Sequence, residues 1–379
     1  MIERCNVMAT PRQRAIDTVN AIRANSSEAY QNAIPKFEQG ADYTASMQTI
    51  VQYTPFYNEF VSGLVNRIMF TQIESKMFNN PLSIFHRGGN PLGTDVQDIY
   101  INPANPKAYN MNSGAAGLFE DAPADVKVQY FRRNRQDKYK ITIPREVLAG
   151  GFNSWEQLDN FIQKCINSVY SGNVIDEYNL AKKTFAEAAK AGALTTQDIA
   201  WTDNNADASR ALALQLRTLY GKFKFPGSDY NKYQAYATAS GVTGATPAIT
   251  WVENGDVVLL IKSEVNTAID MFVEAVAYNL DRSDLLGRVI EVDNFNYFAG
   301  TPNAYVRGPQ NTDMDDCLAI ICDRKAVQVW NNLTMAGDFF NPDDLKHHYY
   351  NHVWQTYGFN TCANAVAIGK SGFSASITG

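Results

Sequence analysis

The sequence predicts an α+β protein of more than one lobe, and three observations carry that reading. A helical signal near residue 153 persists for about 37 residues, far beyond the usual globular helix. The region before it is punctuated by Pro, Gly and Asn between short alternating runs, and the region after it alternates compact strand and helix signals. At 379 residues the chain also exceeds what one hydrophobic core usually organises.

Residues 1–80 read as an arm of short helices. One opens at Thr10-Pro11, with Thr as N-cap and Pro at the first helical position, runs through Ile16, Val19, Ala21 and Ile22, and yields at Asn25-Ser26-Ser27. A second amphipathic stretch, Phe56 to Phe70, sets Phe60, Leu64, Arg67 and Ile68 at helical spacing. Such helices cannot bury both sides alone, so the arm is expected to pack on something else.

Residues 81–146 form a long excursion with Gly88-Gly89, Pro91, Gly93, Pro103, Pro106 and Pro123. Lys138 to Ile143 alternates polar and apolar residues as a strand with one dry face, and Asp98 to Ile101 is expected to partner it. A two-stranded loop of this length is barely stable by itself, so a neighbour should cover it.

Residues 147–200 carry the long helix, opened by Asn153 with Glu156 as a variant capping box. Trp155, Leu158, Ile162, Cys165 and Val169 form one stripe, and Ile175, Tyr178, Ala181 and Phe185 a second. Gly192 is expected to stop it after Lys190, giving a spine of ~55 Å.

Residues 201–334 begin with a helix over 207–220 and a Gly, Ser, Thr and Ala rich surface region over 226–250. Asp256 to Ile261 reads as a strand, and Ser263 as the cap of a helix carrying Val265, Ile269, Phe272, Val273 and Val276. Val289 to Val292 and Leu318 to Cys322 are further strands. The closing region, 335–379, holds the aromatic run from Lys346 to Tyr357 and the small apolar run from Ala363 to Ile368, read together as one return strand over 346–368.

Composition narrows the function. A net charge of −6 argues against a protein that works by gripping phosphates, which needs a basic face. Cys5, Cys165, Cys317, Cys322 and Cys362 are odd in number and scattered, which reads as reduced thiols. No apolar stretch approaches the ~20 residues a membrane helix needs, and no apolar block follows the N-terminal charges, so neither membrane nor export is expected.

Chemical motifs fail one by one. His348 and His352 stand four apart, but Tyr-Tyr-Asn lies between them where a zinc protease needs glutamate, and on a strand their rings would sit ~13 Å apart. Gly369-Lys370-Ser371 resembles the end of a phosphate loop, yet Asn364 stands where the first glycine belongs. Asp313, Asp315 and Asp316 suggest a calcium loop, but Leu318 and Arg324 occupy the glycine and glutamate positions. Arg132, Arg133, Arg135, Lys138 and Lys140 form the one basic cluster, interleaved with Tyr130, Phe131 and Tyr139, and subunit contact is expected of it ahead of nucleic-acid contact. No catalytic, cofactor-binding or metal-ligating residue is predicted.

Several segments resemble one family in order along the chain: Val19-Asn20-Ala21-Ile22-Arg23, Asn79-Asn80-Pro81-Leu82, Pro91-Leu92-Gly93, Arg133-Asn134-Arg135-Gln136, Asp176-Glu177-Tyr178 and Asn279 to Gly287. The strongest pair is His352-Val353-Trp354-Gln355-Thr356 with Ala363-Asn364-Ala365-Val366-Ala367. Together they resemble the major capsid proteins of phi29-like short-tailed phages, which have the Hong Kong 97-type capsid fold. That resemblance implies an N-terminal arm (1–80), an extended loop (81–146), a spine helix with the first part of a peripheral domain (147–200), an axial domain (201–334) and a peripheral return strand (335–379). It further implies a structural, non-enzymatic subunit of pentamers and hexamers, closing as an icosahedral or prolate shell around double-stranded DNA that it does not read by sequence. A scaffolding protein and a portal are the implied partners, the virion the implied location and the host cytoplasm the place of assembly, with no cofactor. The family's best-known member continues into an immunoglobulin-like domain, whereas this sequence stops at Gly379, so that domain is expected to be absent. Two alternatives remain: an encapsulin-type compartment shell, and a metal-dependent hydrolase using His347, His348 and His352.

Overall fold

The computed structural model describes residues 11–38, 44–60, 78–106, 121–144, 155–203, 205–274, 288–298, 310–343 and 346–378. They fall into two compact units, each drawn from separate parts of the chain. The first gathers Met1–Asn79, Lys138–Ile175 and Thr334–His352; the second gathers Asn80–Asp137, Asp176–Leu333 and Val353–Gly379.

In the first unit, α1 (Pro11–Asn25), α2 (Glu28–Ala33) and α3 (Thr44–Gln52) make the arm. Their turns are fixed by side chains acting on backbone: Arg23 donates to the carbonyls of Ile34 (2.6 Å) and Gln31 (2.7 Å), and Asn20 both donates to Phe37 O and accepts from Phe37 N at 2.8 Å. Val19, Ile22, Tyr30, Ile34, Ile50, Tyr57 and Phe60 bury themselves with Ile143, Ile166 and Tyr349, so the arm covers a strand and helix surface as expected of short amphipathic helices. Of the stretch Phe56 to Phe70, residues 56–60 are helical and the rest lies outside the described residues, as do Thr10 and Asn153.

The second unit is built on a five-stranded sheet of order β5-β13-β10-β6-β7, with β5 Thr195–Ile199, β6 Val257–Lys262, β7 Arg288–Val292, β10 Cys317–Asp323 and β13 Ala365–Lys370. β10 pairs antiparallel with β6 and β13 at the centre, and β5 and β7 add in parallel outside them. Alternate residues point to two different cores. Val258, Leu260, Ile320, Ala365 and Ala367 meet the second half of α4 (Trp155–Lys190), while Val257, Leu259, Ile261, Ile321, Val366 and Ile368 meet α5 (Ala206–Phe223). Burial on both faces is why these strands read as continuous apolar runs. α4 is 36 residues long and ends where Gly192 takes φ +67°, a left-handed conformation that glycine adopts without strain.

The remaining strands are β1 (His86–Gly89), β2 (Val96–Ile101), β3 (Val126–Phe131), β4 (Arg135–Pro144), β8 (Tyr297–Phe298), β9 (Gln310–Asn311), β11 (Val327–Asn341) and β12 (Lys346–Phe359). A second sheet has the order β1-β11-β12-β4.

Four expectations are corrected. Asp98 to Ile101 pairs with Val126 to Phe131, not with Lys138 to Ile143, because β4 is drawn into the sheet beside β12. The return strand is two strands in two sheets: the turn at Asn360–Asn364, closed by Ala363 N donating to Asn360 O (3.2 Å), separates β12 from β13. Ser263 does not cap its helix; it is the first residue of α7 (Ser263–Ile269), the cap position belongs to Lys262 without a side-chain bond, and a π-turn follows over Asp270–Glu274. The region 226–250 is more than surface, since α6 (Tyr233–Ala239) forms there and Asn231, Ala237, Ala248 and Thr250 are buried.

Candidate functional site

The ribbon of β2 and β3 inverts the usual arrangement of a half-buried sheet. Its register pairs Ile99 with Val128 and Ile101 with Val126, so strand alternation gathers Ile99, Ile101, Val126, Val128 and Tyr130 on one face. That face is open, with Ile99 52%, Ile101 58% and Tyr130 65% exposed.

The opposite face is polar and holds the ribbon to its own unit. Asp98 accepts from Gln328 (2.9 Å) and Asn360 (2.7 Å). Tyr100 donates to Ile249 O, Gln129 to the Thr361 hydroxyl, and the buried Lys127 ammonium to Thr246 and to Asp125 (2.6 Å). Lys127 holds the Asp125 carboxyl below the usual carboxylate range. Phe131 closes this side by packing its ring on Gly358, where a Cβ would have no room. The ribbon thus anchors its polar groups inward and presents hydrocarbon outward, and contiguous exposed apolar surface of that kind is the usual form of an interaction site.

Beside the ribbon lies a buried polar network. Arg135 is 0% exposed; its Nε donates to Asp137 (2.6 Å) and a terminal nitrogen to Gln355 Oε1. The Tyr357 hydroxyl donates to the same Gln355 oxygen (2.9 Å), and Gln355 Nε2 donates to Glu177 and Asn331, both at 2.7 Å. Burial raises the Asp137 carboxyl, against the opposing pull of the Arg135 guanidinium. These groups join β4, β11, β12 and α4 through mutual hydrogen bonds centred on the fully buried Arg135, which makes the network a fixing device.

The basic cluster divides accordingly. Arg132 is exposed and pairs with Asp95 (2.9 Å), and Arg133 lies over Trp354 at 4.7 Å. In the other unit, exposed Lys138 and Lys140 flank the Tyr350 ring at 5.8 and 5.6 Å. Arg135 is the exception: its guanidinium lies inside its own unit, so the expectation of subunit contact does not extend to it.

The histidine run is a strand face. His347 is buried, its Nε2 donating to Asn58 Oδ1 (3.2 Å), and burial lowers its pKa. His348 and His352 point the other way, with the Tyr350 ring between them at 6.3 and 6.2 Å from each. Around Gly369-Lys370-Ser371, Asp198 accepts from Gly372 N (3.0 Å), Ser374 N (2.8 Å) and the Ser374 hydroxyl (2.6 Å), capping α8 (Phe373–Thr378). Asp313 pairs with Lys190.

Sequence reasoning missed β3. Its signal was present, since Val126-Lys127-Val128-Gln129-Tyr130 alternates as plainly as Lys138 to Ile143.

Comparison with known proteins agrees with this construction. The family model of the Phi29-like phage major capsid protein matches residues 19–369. The chain is 30% identical over 355 residues to the major capsid protein of Bacillus phage PZA, spanning 93% of this chain and 72% of that one. It is 28% identical over 347 residues to the major capsid protein of Streptococcus phage Cp-1, spanning 89% of each. The capsid structure of Staphylococcus phage Andhra has a TM-score of 0.58 with this chain at 12% identity, over 78% of this chain and 84% of that one, a likeness of fold. The expected α+β, Hong Kong 97-type capsid fold is thereby borne out, and neither the compartment shell nor the hydrolase gains support. The chain belongs to the Phi29-like phage major capsid protein family: it is a structural subunit of a multimeric tailed-phage capsid, found in the virion, and not an enzyme.

Proposed function

We propose that copies of this chain assemble, in the host cytoplasm, as pentamers and hexamers that close into an icosahedral or prolate shell around double-stranded DNA, with a scaffolding protein and a portal as partners. The observation that carries this reading is the inverted β2–β3 ribbon, which keeps hydrocarbon exposed on a face that its own unit does not cover. A neighbouring copy would bury it, at roughly 25 cal/mol per Å² of apolar surface removed from water. Arg132, Arg133, Lys138 and Lys140, all exposed, are assigned to contacts with neighbouring copies.

In this reading residues 1–80 are the arm, 81–146 the extended loop, 147–200 the spine with part of the peripheral domain, 201–334 the axial domain and 335–379 the peripheral return. The net charge of −6 suits a container whose wall must not grip the phosphates of DNA being packed.

The test is electron microscopy of the expressed chain, with and without its candidate scaffold, beside Ile99→Ser/Ile101→Ser/Tyr130→Ser. The triple variant should fold with an unchanged unfolding transition and lose closed particles. Closed particles at parental yield from that variant would remove the ribbon from the assembly contact.

A further inference from the structure

The second unit contains a cleft of about 870 Å³ with β3 as one wall and α4 as another, and Tyr357, Gly358 and Phe359 of β12 also line it. Four consecutive residues, Val128 to Phe131, line it and no residue of β2 does, so the cleft runs along the edge of β3 that faces away from its partner strand. Next to the register pair Tyr100–Lys127, Asn102 N donates to Asp125 O (3.0 Å). Antiparallel strands alternate, so the residues exchanging hydrogen bonds with β2 are Asp125, Lys127 and Gln129. Val128 and Tyr130 therefore turn their N–H and C=O groups outward, along the cleft.

The facing wall is a stripe of α4 at helical spacing, including Lys183, Glu187 and Ala188, continued by Ala191 just past the helix end. Two alanines leave width for a backbone, and a cation and a carboxylate one turn apart suit a polypeptide better than a polyanion. An open strand edge opposite such a wall has the form of a site for strand addition.

We propose that this cleft receives an extended segment of a second copy of the chain, which adds to β3 through the main-chain groups of Val128 and Tyr130. The proposal rests on the shell reading above, and it names main-chain pairing as part of the contact. A second copy is the occupant because a capsid holds copies of one chain against each other at high local concentration. The cleft also opens beside the exposed apolar face that carries the Val128 and Tyr130 side chains, so one neighbour can cover both. Native proteins cover or blunt such edges to prevent indiscriminate pairing.

The deciding variant is Val128→Pro, which removes an N–H pointing away from β2 and leaves the ribbon's own ladder intact; Val128→Ala controls for the side chain. Closed particles counted by electron microscopy should fall at least tenfold for Val128→Pro and stay near parental yield for Val128→Ala, both subunits unfolding as the parent does. Hydrogen exchange supplies a measurement independent of the variant: the Val128 and Tyr130 amides of the parent should exchange at least tenfold more slowly in particles than in unassembled subunits. Parental particle yield from Val128→Pro, or exchange at these amides unchanged by assembly, would overturn the proposal while leaving the shell reading in place. Protection already complete in unassembled subunits would overturn it too, since the cleft would then be filled from within one chain. A parent chain that makes no particles would instead sink the shell reading itself.

Discussion

In the first half of β12, His347, Tyr349 and Asn351 turn into the core formed with the arm helices, whereas in the second half Gln355 and Tyr357 turn into the network around Arg135. The polar atoms fare differently. In the first unit His347 Nδ1, the Tyr30 hydroxyl and both amide atoms of Asn351 are buried without a hydrogen-bond partner among the described residues. In the second unit Gln355 uses its oxygen and its nitrogen twice each. A buried polar atom left unpaired costs about 1–3 kcal/mol, while a satisfied network rigidifies what surrounds it. One strand thus passes from a hydrocarbon core whose polar atoms are partly unpaired among the described residues to a paired polar network set beside the apolar cores of the second unit. The first should open at lower free energy than the second.

The largest expected effect lies in the network. Arg135→Met keeps an unbranched apolar stem, shorter than arginine's, but removes the guanidinium and leaves Asp137 and Glu177 facing a buried position without their cation, a change that costs about 3–5 kcal/mol. Urea unfolding of the unassembled subunit should register that loss in the second unit. A loss below about 1 kcal/mol would mean the network contributes little and that the contrast between the two halves is false.

How legible this was in the sequence depended on what kind of force set each feature. α4, β6, β7, β10 and α5 announce themselves because periodicity and apolar runs are local signals, and Gly192 ends α4 where a left-handed residue is needed. The pairing of β2 was misread because alternation marks a strand without naming its partner. Arg135 looks like its neighbours Arg132 and Arg133, and only the tertiary arrival of Gln355 and Glu177 beside the local Asp137 makes it an interior residue. The ribbon's exposed face was illegible for a related reason: Val126, Val128 and Tyr130 carry the composition of a core, and which side of a strand meets water is decided by what packs on the other.

A smaller effect should appear as pH dependence in the first unit. His347 is flanked by the rings of Tyr57, Phe340 and Tyr349, and burial lowers its pKa, with Asp338 pulling the other way and His348 adding to the decrease. A histidine whose folded pKa lies below its unfolded value binds fewer protons when folded. Its stabilisation is therefore complete above about pH 6.5 and is lost as pH falls from there through the folded pKa, by at most about 1.4 kcal/mol per pH unit. Urea unfolding at pH 7.5 and 5.5 should record the loss, and His347→Phe should flatten it. An equal slope in His347→Phe would assign the pH dependence to another group.

The smallest effect has the opposite sign. Asn351 is buried with neither amide atom partnered among the described residues, so its desolvation is uncompensated there, and Leu has the same branched skeleton with bulkier methyl ends. Asn351→Leu should stabilise the first unit by about 1 kcal/mol, because it removes two unpaired polar atoms and adds hydrocarbon to the core of Tyr30, Ile143 and Tyr349. Gln355→Leu, on the same strand, should do the reverse, since it strips partners from Arg135, Glu177 and Asn331 at once. Opposite signs for two amide-to-leucine changes four residues apart would locate the boundary between the two kinds of core within β12. A destabilising Asn351→Leu would mean that its amide is paired in solution, and the two halves of the strand would then obey the same rule.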